Sequence, residues 1–244
     1  MQIDIITKII HEELYTNVYQ PIYRLIDKSI AGYESLFRCT FVNSPDLLFN
    51  FANTNGSLYI LDIASIKNSI KTFSLYRKHE SVNNVFLSLN VYPSTVANRA
   101  FPKILEQLIG EFSLSNQQVV LEINESERIE NLDKMLQNIS LLKQKGFIIA
   151  LDDVGKGEYS LQALIEIDPQ VIKLDRYFAK DLAQNKEKQR AISSFIKFFR
   201  EGTSFILEGI ETKEDLYCAE LLGIHYGQGY YLGKPQALYE ITED

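Results

Sequence analysis

The adjacent residues Asp152 and Asp153 are the clearest candidates for a chemical role in this chain, and they directly follow an apolar run. Adjacent carboxylates suit a two-metal site, because one can bridge two ions about 3.5–4 Å apart while its neighbour binds the second. Glu34, Glu122 and the amide of Asn90 could complete a ligand set made of oxygen atoms, which favours Mg²⁺ or Mn²⁺. These five residues are the metal-ligand candidates, and they predict that a bridged water is activated as a nucleophile.

Two further side chains could take part in that chemistry. Lys173 lies within an apolar run, where a buried ammonium is costly unless a carboxylate or a bound anion compensates it. It could orient the water or a phosphate oxygen, or it could extend its ammonium to the rim of the fold. Glu208 ends another apolar run and could act as general base or as a further metal ligand. The catalytic candidates are therefore Glu208, Lys173 and Asp153.

The apolar runs that carry these groups are spaced like the strands of a barrel. Most of their ends are roughly thirty residues apart, which is the length that a strand, a loop, a helix and a return loop occupy. Each polar group stands at the carboxyl end of its run, and barrel active sites lie at that face. An isolated Asp-Asp pair is more often a helix cap, but several such ends in barrel order favour a site. The sequence predicts an α/β fold, a TIM-like (β/α)8 barrel. The runs are 85–89, 119–121, 147–151, 171–172 and 205–207.

The beginning of the chain departs from a regular barrel. Segments 19–25 and 30–37 resemble strands, but a parallel crossover between them would need a dozen or more residues. We therefore expect an antiparallel first strand. Apolar residues at helical spacing over 2–15 predict an amphipathic helix, so we divide the chain into an N-terminal helix packed on the barrel, 1–16, and a barrel domain, 17–244. Helices are expected near 57–79, 95–111, 127–145, 161–167, 177–201 and 213–222, and a last strand at 227–232.

Composition narrows the possible functions. The chain of 244 residues matches one (β/α)8 barrel of about 250 residues. A net charge of −7 argues against DNA as a partner. No apolar run approaches the ~18 residues of a membrane span and the N-terminus lacks a signal-peptide layout, so we expect a cytoplasmic protein without membrane contact. Cys39 and Cys218 are too far apart in sequence to suggest a metal site.

Seven short motifs give the chain a specific resemblance over nearly its whole length. It resembles the EAL-domain family of cyclic di-GMP phosphodiesterases, with Ser35 in place of the alanine that names the family. The motifs are Tyr19-Gln20-Pro21-Ile22, Glu34-Ser35-Leu36 with Arg38, Asn90-Val91-Tyr92-Pro93, Glu122-Ile123-Asn124-Glu125, Lys173-Leu174-Asp175, Glu208-Gly209-Ile210-Glu211-Thr212 and Gln228-Gly229-Tyr230-Tyr231.

The resemblance implies a role for each matched position. The substrate would be cyclic di-GMP, cleaved to linear pGpG with two Mg²⁺ or Mn²⁺ ions, by a homodimer. Glu34, Asn90, Glu122 and Asp152 would bind one ion, and Asp152 and Asp153 the second. Glu208 and Lys173 would support the attacking water, while Glu125 and Glu211 would support loops. The dinucleotide would contact Gln20, Leu36, Arg38 and Gln228, although Arg38 alone could equally be a structural ion-pair partner.

One loop departs from the family pattern. Residues 154–160 read Val-Gly-Lys-Gly-Glu-Tyr-Ser where the family usually has Phe-Gly-Thr-Gly-Tyr-Ser-Ser. Lys156 and Glu158 could alter the metal affinity of the neighbouring aspartates. The altered loop therefore leaves open a degenerate barrel that acts as a cyclic di-GMP receptor or protein-interaction module. Without the resemblance, a metal-dependent hydrolase of some other phosphodiester also stays open.

Overall fold

The protein folds as a closed barrel of eight strands in sequence order, as the sequence predicts. This computed structural model describes residues 5–42, 44–80, 84–124, 127, 131–156, 160–199 and 201–240. The strands are rich in Val, Ile and Leu, which pack well on a surface buried on both faces. They are β1 (Tyr15–Arg24), β2 (Ile30–Cys39), β3 (Phe86–Val91), β4 (Val119–Ile123), β5 (Ile148–Val154), β6 (Val171–Leu174), β7 (Ser204–Leu207) and β8 (Tyr226–Gly227).

Helices connect the strands and cover the outside of the barrel. They are α1 (Ile5–His11), α2 (Pro45–Thr54), α3 (Leu58–Glu80), α4 (Pro93–Ala97), α5 (Phe101–Glu111), α6 (Leu132–Gln144), α7 (Leu161–Ile167), α8 (Arg176–Ala179), α9 (Lys186–Phe198) and α10 (Lys213–Leu221). Short 3₁₀ helices lie at Asn116–Gln118, Leu182–Gln184 and Leu238–Glu240. None of the helices in the described ranges is both long and apolar enough to cross a membrane.

The antiparallel first strand is confirmed. β1 runs antiparallel to both β2 and β8, while the strands from β2 to β8 are parallel. β1 begins at Tyr15, four residues before the predicted start, and β2 extends to Cys39. The prediction of a last strand over 227–232 was wrong. β8 is only Tyr226–Gly227, because the chain turns at Gly229, where the Leu232 N–H donates to the Gly229 carbonyl.

Several predicted helices are shorter or divided. The helix expected near 95–111 is interrupted after Ala97, where the Asn98 side chain accepts the Ala100 N–H and a new helix starts. The helix expected near 177–201 is broken at Asp181, whose φ of 58° is left-handed. Asn185 then caps α9 by accepting the N–H groups of its first turn.

Two other helix boundaries differ from the sequence prediction, and one helix was missed. The helix expected at 127–145 begins at Leu132, after the N-cap Asn131. The N-terminal helix covers Ile5–His11, and residues 1–4 lie outside the described part. α2 was not predicted, although Pro45 stands at its first turn.

Two apolar clusters stabilise this arrangement. The larger one fills the space between the strands and the outer helices and includes Tyr19, Phe73, Phe101 and Phe147. The smaller one buries Ile6 and Ile9 of α1 against residues of β2, α2 and α3. The N-terminal helix therefore packs on the outside of the barrel, next to the segment that carries Glu34.

Candidate active site

The two adjacent aspartates lie in a bulge of β5. Leu151 pairs with Ile172 and Val154 with Leu174, so Asp152 and Asp153 together oppose the single residue Lys173. Asp153 has a left-handed φ of 53°, a conformation that Asp adopts more readily than most residues. In a regular strand consecutive side chains point to opposite faces. The bulge removes that alternation, and the carboxylates of Asp152, Asp153 and Glu208 have oxygens within 4.8 Å of one another.

Lys173 stands at the centre of a carboxylate cluster in the barrel. Its side chain is 1% exposed, and its neighbours come from β2, β4, β5 and the end of β7. Such a buried ammonium requires compensation, which these carboxylates provide. The contacts of Lys173 Nζ are Glu208 Oε1 at 2.6 Å, Glu122 Oε2 at 2.9 Å, Asp152 Oδ1 at 3.0 Å and Glu34 Oε2 at 3.4 Å.

Amide and hydroxyl groups complete the contacts around this cluster. Asn90 Nδ2 donates to Glu34 Oε1 at 3.0 Å, and Gln228 Nε2 donates to Glu34 Oε2 at 2.7 Å. Ser88 Oγ donates to Glu122 Oε1. Both oxygens of Glu34 and both of Glu122 therefore have partners, which fixes the orientation of these two side chains.

Burial and mutual repulsion change the ionisation of the cluster. Burial, with the nearby charges of Asp152 and Glu34, raises the pKa of Glu208 to about 8, although Lys173 opposes the shift. Burial and like charges also raise the pKa of Glu122 and Asp152. The pKa of Glu34 is held below its usual value, because Lys173 and the two amide donors together outweigh its burial. The carboxylates outnumber the charge that Lys173 supplies.

Two cavities open from the cluster, on either side of Glu34, Leu36 and Asp152, which line both. The first, of about 360 Å³, is lined by Arg38 and by residues of α2 and α3. The second, of about 280 Å³, is lined by Gln20, Gln228, Glu211, Arg176 and Tyr230. The mouth of the barrel thus offers space for an elongated ligand that passes over the carboxylates.

Most of the sequence-predicted site residues lie at this one place. Glu34, Asn90, Glu122, Asp152, Asp153, Lys173 and Glu208 form the cluster, and Gln20, Leu36, Arg38, Gln228 and Glu211 line the cavities.

Individual contacts differ among the cavity residues. Gln20 Nε2 donates to the Gly233 carbonyl, Arg38 donates to the Phe37 carbonyl, and Glu211 is exposed. The predicted loop-support residue Glu125 lies outside the described residues.

Sequence reasoning missed three residues of the site. Ser88 precedes Asn90 by two positions, and the period of a strand would have placed both on one face. Arg176, directly after Asp175, lines the second cavity. Asp62 of α3 lines the first cavity and is only 2% exposed, but its place within a helical pattern gave no signal of a site.

The donor set fits divalent cations of the Mg²⁺ and Mn²⁺ class. The available ligand atoms are carboxylate and amide oxygens, which these ions prefer. Asp152 Oδ1 is buried and has no aligned hydrogen-bond donor, although it lies near Lys173. Among the described residues, five carboxylates meet two ammonium groups, since Lys156 Nζ also contacts Asp153 Oδ2 at 2.8 Å. This excess of negative charge on oxygen ligands favours the binding of cations at the cluster.

Comparisons with known proteins agree with this arrangement. The sequence profile of the EAL domain matches residues 4–235. The cyclic di-GMP phosphodiesterase RocR of Pseudomonas aeruginosa is 33% identical over 225 residues, which are 89% of this chain and 56% of RocR. The chain spans between 21% and 56% of the length of the curated relatives it matches first.

Solved structures show the same fold. The c-di-GMP complex of the PaMucR phosphodiesterase has a TM-score of 0.85 at 21% identity, covering 96% of each chain. Klebsiella pneumoniae BlrP1, in a manganese and cyclic di-GMP complex, has a TM-score of 0.81 at 24% identity, covering 91% of this chain and 56% of BlrP1. The profile match extends over almost the whole barrel, and the chain therefore belongs to the EAL domain family.

Proposed function

We propose that this protein hydrolyses cyclic di-GMP to linear pGpG with the help of two divalent cations, Mg²⁺ or Mn²⁺. The observation that carries the proposal is the convergence of Glu34, Asn90, Glu122 and the Asp152–Asp153 bulge around Lys173 at the mouth of the barrel. The substrate is suggested by the relative RocR, which is a cyclic di-GMP phosphodiesterase.

The proposed ligand sets are those that the family resemblance implies. Glu34, Asn90, Glu122 and Asp152 would hold one ion, and Asp152 and Asp153 the other. When bound, two such ions supply the positive charge that acidifies a water and screens the phosphate. An acidic protein with a net charge of −7 would otherwise repel an anionic substrate.

In this proposal Glu208 acts on the attacking water, and Lys173 supports that step by positioning Glu208. Glu208 Oε1 lies 2.6 Å from Lys173 Nζ, and its side chain, at 19% exposed, reaches the cavity side of the cluster. Glu208 accepts the proton of the water as its oxygen bonds to phosphorus. The bond between phosphorus and the 3′ oxygen breaks, and that oxygen leaves as a hydroxyl by taking a proton from solvent, to which Glu208 returns the proton it accepted. Lys173 holds Glu208 and Asp152 in place.

The two cavities would hold the dinucleotide on either side of the scissile phosphate. Leu36 lines both of them, and Arg38 and Gln20 line one each. Gln228 is 3% exposed, and its Oε1 has no hydrogen-bond partner although it is buried. An unsatisfied buried acceptor is costly, so a ligand that donates a hydrogen bond there would be favoured.

A variant comparison tests the proposal. Asp152→Asn preserves the shape of the side chain but removes a ligand shared by both ions, so hydrolysis with Mn²⁺ should fall by at least about a thousandfold. Asp168→Asn is the matched control, because Asp168 lies before β6 at the opposite end of the barrel. Hydrolysis by Asp152→Asn at the wild-type rate would refute the metal-site assignment.

A panel of phosphodiester substrates distinguishes this proposal from the hypothesis that the protein hydrolyses some other phosphodiester. Cyclic di-GMP should give the highest kcat/KM, ahead of cyclic di-AMP, linear dinucleotides and bis(p-nitrophenyl) phosphate. If another phosphodiester were the best substrate, the proposed metal chemistry would stand but cyclic di-GMP would no longer be the proposed substrate. Binding of cyclic di-GMP without turnover would favour a receptor.

Two expectations about the whole protein also stay proposals. A homodimer is tested by sedimentation velocity with and without cyclic di-GMP. A cytoplasmic location is tested by fractionation of cells that express the chain.

A further inference from the structure

Lys156 lies beside the aspartate pair and contacts Asp153 through both its side chain and its backbone. Lys156 Nζ contacts Asp153 Oδ2 at 2.8 Å, and the Lys156 N–H donates to the Asp153 carbonyl at 3.2 Å. The second contact closes a tight turn. The ammonium and the backbone N–H of Lys156 are thus both bonded to Asp153.

The backbone of this turn fixes the approach of the lysine. Gly155 has a φ of 108°, a conformation that glycine adopts without strain. A Cβ at Gly155 would lie 2.3 Å from a ring carbon of Phe178, so the turn packs closely on the segment after β6. The ammonium is therefore delivered to Asp153 by a constrained backbone.

We infer that Lys156 is a tethered cation that competes with the second divalent ion for Asp153, and so raises the free Mg²⁺ or Mn²⁺ concentration that the site requires. This inference rests on the proposed function in placing the second ion at Asp152 and Asp153. Charge supports it: an ammonium at hydrogen-bond distance repels a divalent ion that approaches the same oxygen. Lys173 differs, because it is buried among several carboxylates, whereas the Lys156 side chain is 61% exposed.

The exposure of Lys156 makes the competition reversible. Exposed ion pairs contribute little to stability and their partners separate easily, so a divalent ion can displace the ammonium. Lys156 would then weaken the binding of the second ion at Asp152 and Asp153 without abolishing it. Glu34 and Glu122 have other partners: Glu34 accepts from Asn90 and Gln228, and Glu122 accepts from Ser88 and Lys173.

Titration with Mn²⁺ in the absence of substrate tests the inference. Isothermal calorimetry, checked by the electron paramagnetic resonance signal of free Mn²⁺, would measure each binding step in the wild type and in Lys156→Gln. The weaker step should tighten by about three- to tenfold in Lys156→Gln, while the tighter step changes by less than about twofold. Lys156→Arg keeps the positive charge and should bind Mn²⁺ with the affinity of the wild type.

Two further variants make the result specific. Lys145→Gln removes a lysine of the same charge from an ion pair with Glu106, away from the bulge, and should leave Mn²⁺ binding unchanged. In an Asp153→Asn background, Lys156→Gln should no longer affect Mn²⁺ binding, because the shared ligand is gone. Equal tightening by Lys145→Gln would mean that net charge alone is responsible, and would overturn the inference.

The readout separates this inference from the proposed function. Tighter Mn²⁺ binding by Lys156→Gln supports it even in a protein that cleaves no cyclic di-GMP. Unchanged Mn²⁺ affinity in Lys156→Gln, or the absence of Mn²⁺ binding in both proteins, overturns it even in an active enzyme.

Discussion

Lys173 Nζ lies 2.9 Å from Glu122 Oε2, and both side chains are closed to solvent inside the barrel. The pair joins β6 to β4, which are separated in the sheet by β5, and it places the ammonium among the proposed metal ligands inside the barrel. A buried charge pair of this kind is costly to break from one side.

Removing the ammonium should destabilise the metal-free protein. Lys173→Met leaves Glu122 and its neighbours without their shared cation, and in the presence of a chelator the free energy of unfolding should fall by about 3–5 kcal/mol. Mn²⁺ should reduce this deficit, since it compensates the same carboxylates. Urea denaturation measures both effects.

The matched control for that variant is Lys145→Met, which breaks a partly exposed pair with Glu106. Its free energy of unfolding should change by less than about 1 kcal/mol. A Lys173→Met protein as stable as this control, with chelator present, would contradict the electrostatic account of the cluster.

The glycine after Glu208 should be intolerant of a side chain. Gly209 has a φ of 70°, and a Cβ there would lie 2.3 Å from Arg176 Cβ. Gly209→Ala should therefore lose stability from backbone strain, about 1–2 kcal/mol, and more from the clash, and it should lower kcat by displacing Glu208. Gly56→Ala is the control, because Gly56 has a φ of 71° with open space around it. Equal losses in the two variants would show that no clash occurs at Gly209.

The role of Arg38 should appear in KM. Arg38 is half-buried in the first cavity, where it donates to the Phe37 carbonyl. Arg38→Lys keeps the charge but removes the planar donor set, so KM for cyclic di-GMP should rise about tenfold while Mn²⁺ affinity stays the same. An unchanged KM would make Arg38 a structural residue and remove it from the substrate contacts.

Asp62 should make stability depend on pH. Burial raises the pKa of Asp62 to about 7, far above its ordinary value of 3.8, while the Tyr92 N–H opposes the shift. The folded protein therefore binds more protons than the unfolded chain between these values. The stabilisation is complete below pH 3.8 and is lost as the pH rises to 7.

Asp62→Asn tests this pH dependence, because an asparagine oxygen can still accept the Tyr92 N–H. The variant should gain on the wild type by up to about 1.4 kcal/mol per pH unit between pH 5 and 7, measured by urea denaturation with chelator. Asp46→Asn, at an exposed position lining the same cavity, is the control. Parallel pH profiles for wild type and Asp62→Asn would contradict the burial of an ionisable carboxyl there.

Sequence reasoning reached the barrel and most of the site because the signal is local. Glu122 and Glu208 stand at the ends of apolar runs, and parallel strands bring such ends together. The bulge at Asp152 and Asp153 was not predicted, since its left-handed backbone depends on pairing with β6.

Part of what sequence reasoning missed depends on distant contacts. The closeness of Asp62 to the site arises from packing of α3 against the β3–α4 turn, a contact between residues far apart in sequence. The break at Asp181 and the short β8 have a different cause, which is local backbone geometry that apolar periodicity does not report.

Single-turnover hydrolysis of cyclic di-GMP tests the central claim most directly. An excess of purified protein would be mixed with cyclic di-GMP in Mg²⁺ or Mn²⁺, with a chelator control and with Asp152→Asn in parallel, and the products resolved by chromatography. The account predicts linear pGpG from the wild type, dependent on the metal and absent in both controls. Intact cyclic di-GMP after many hours with metal, from protein that calorimetry shows to bind it, would contradict the account and leave a receptor in its place.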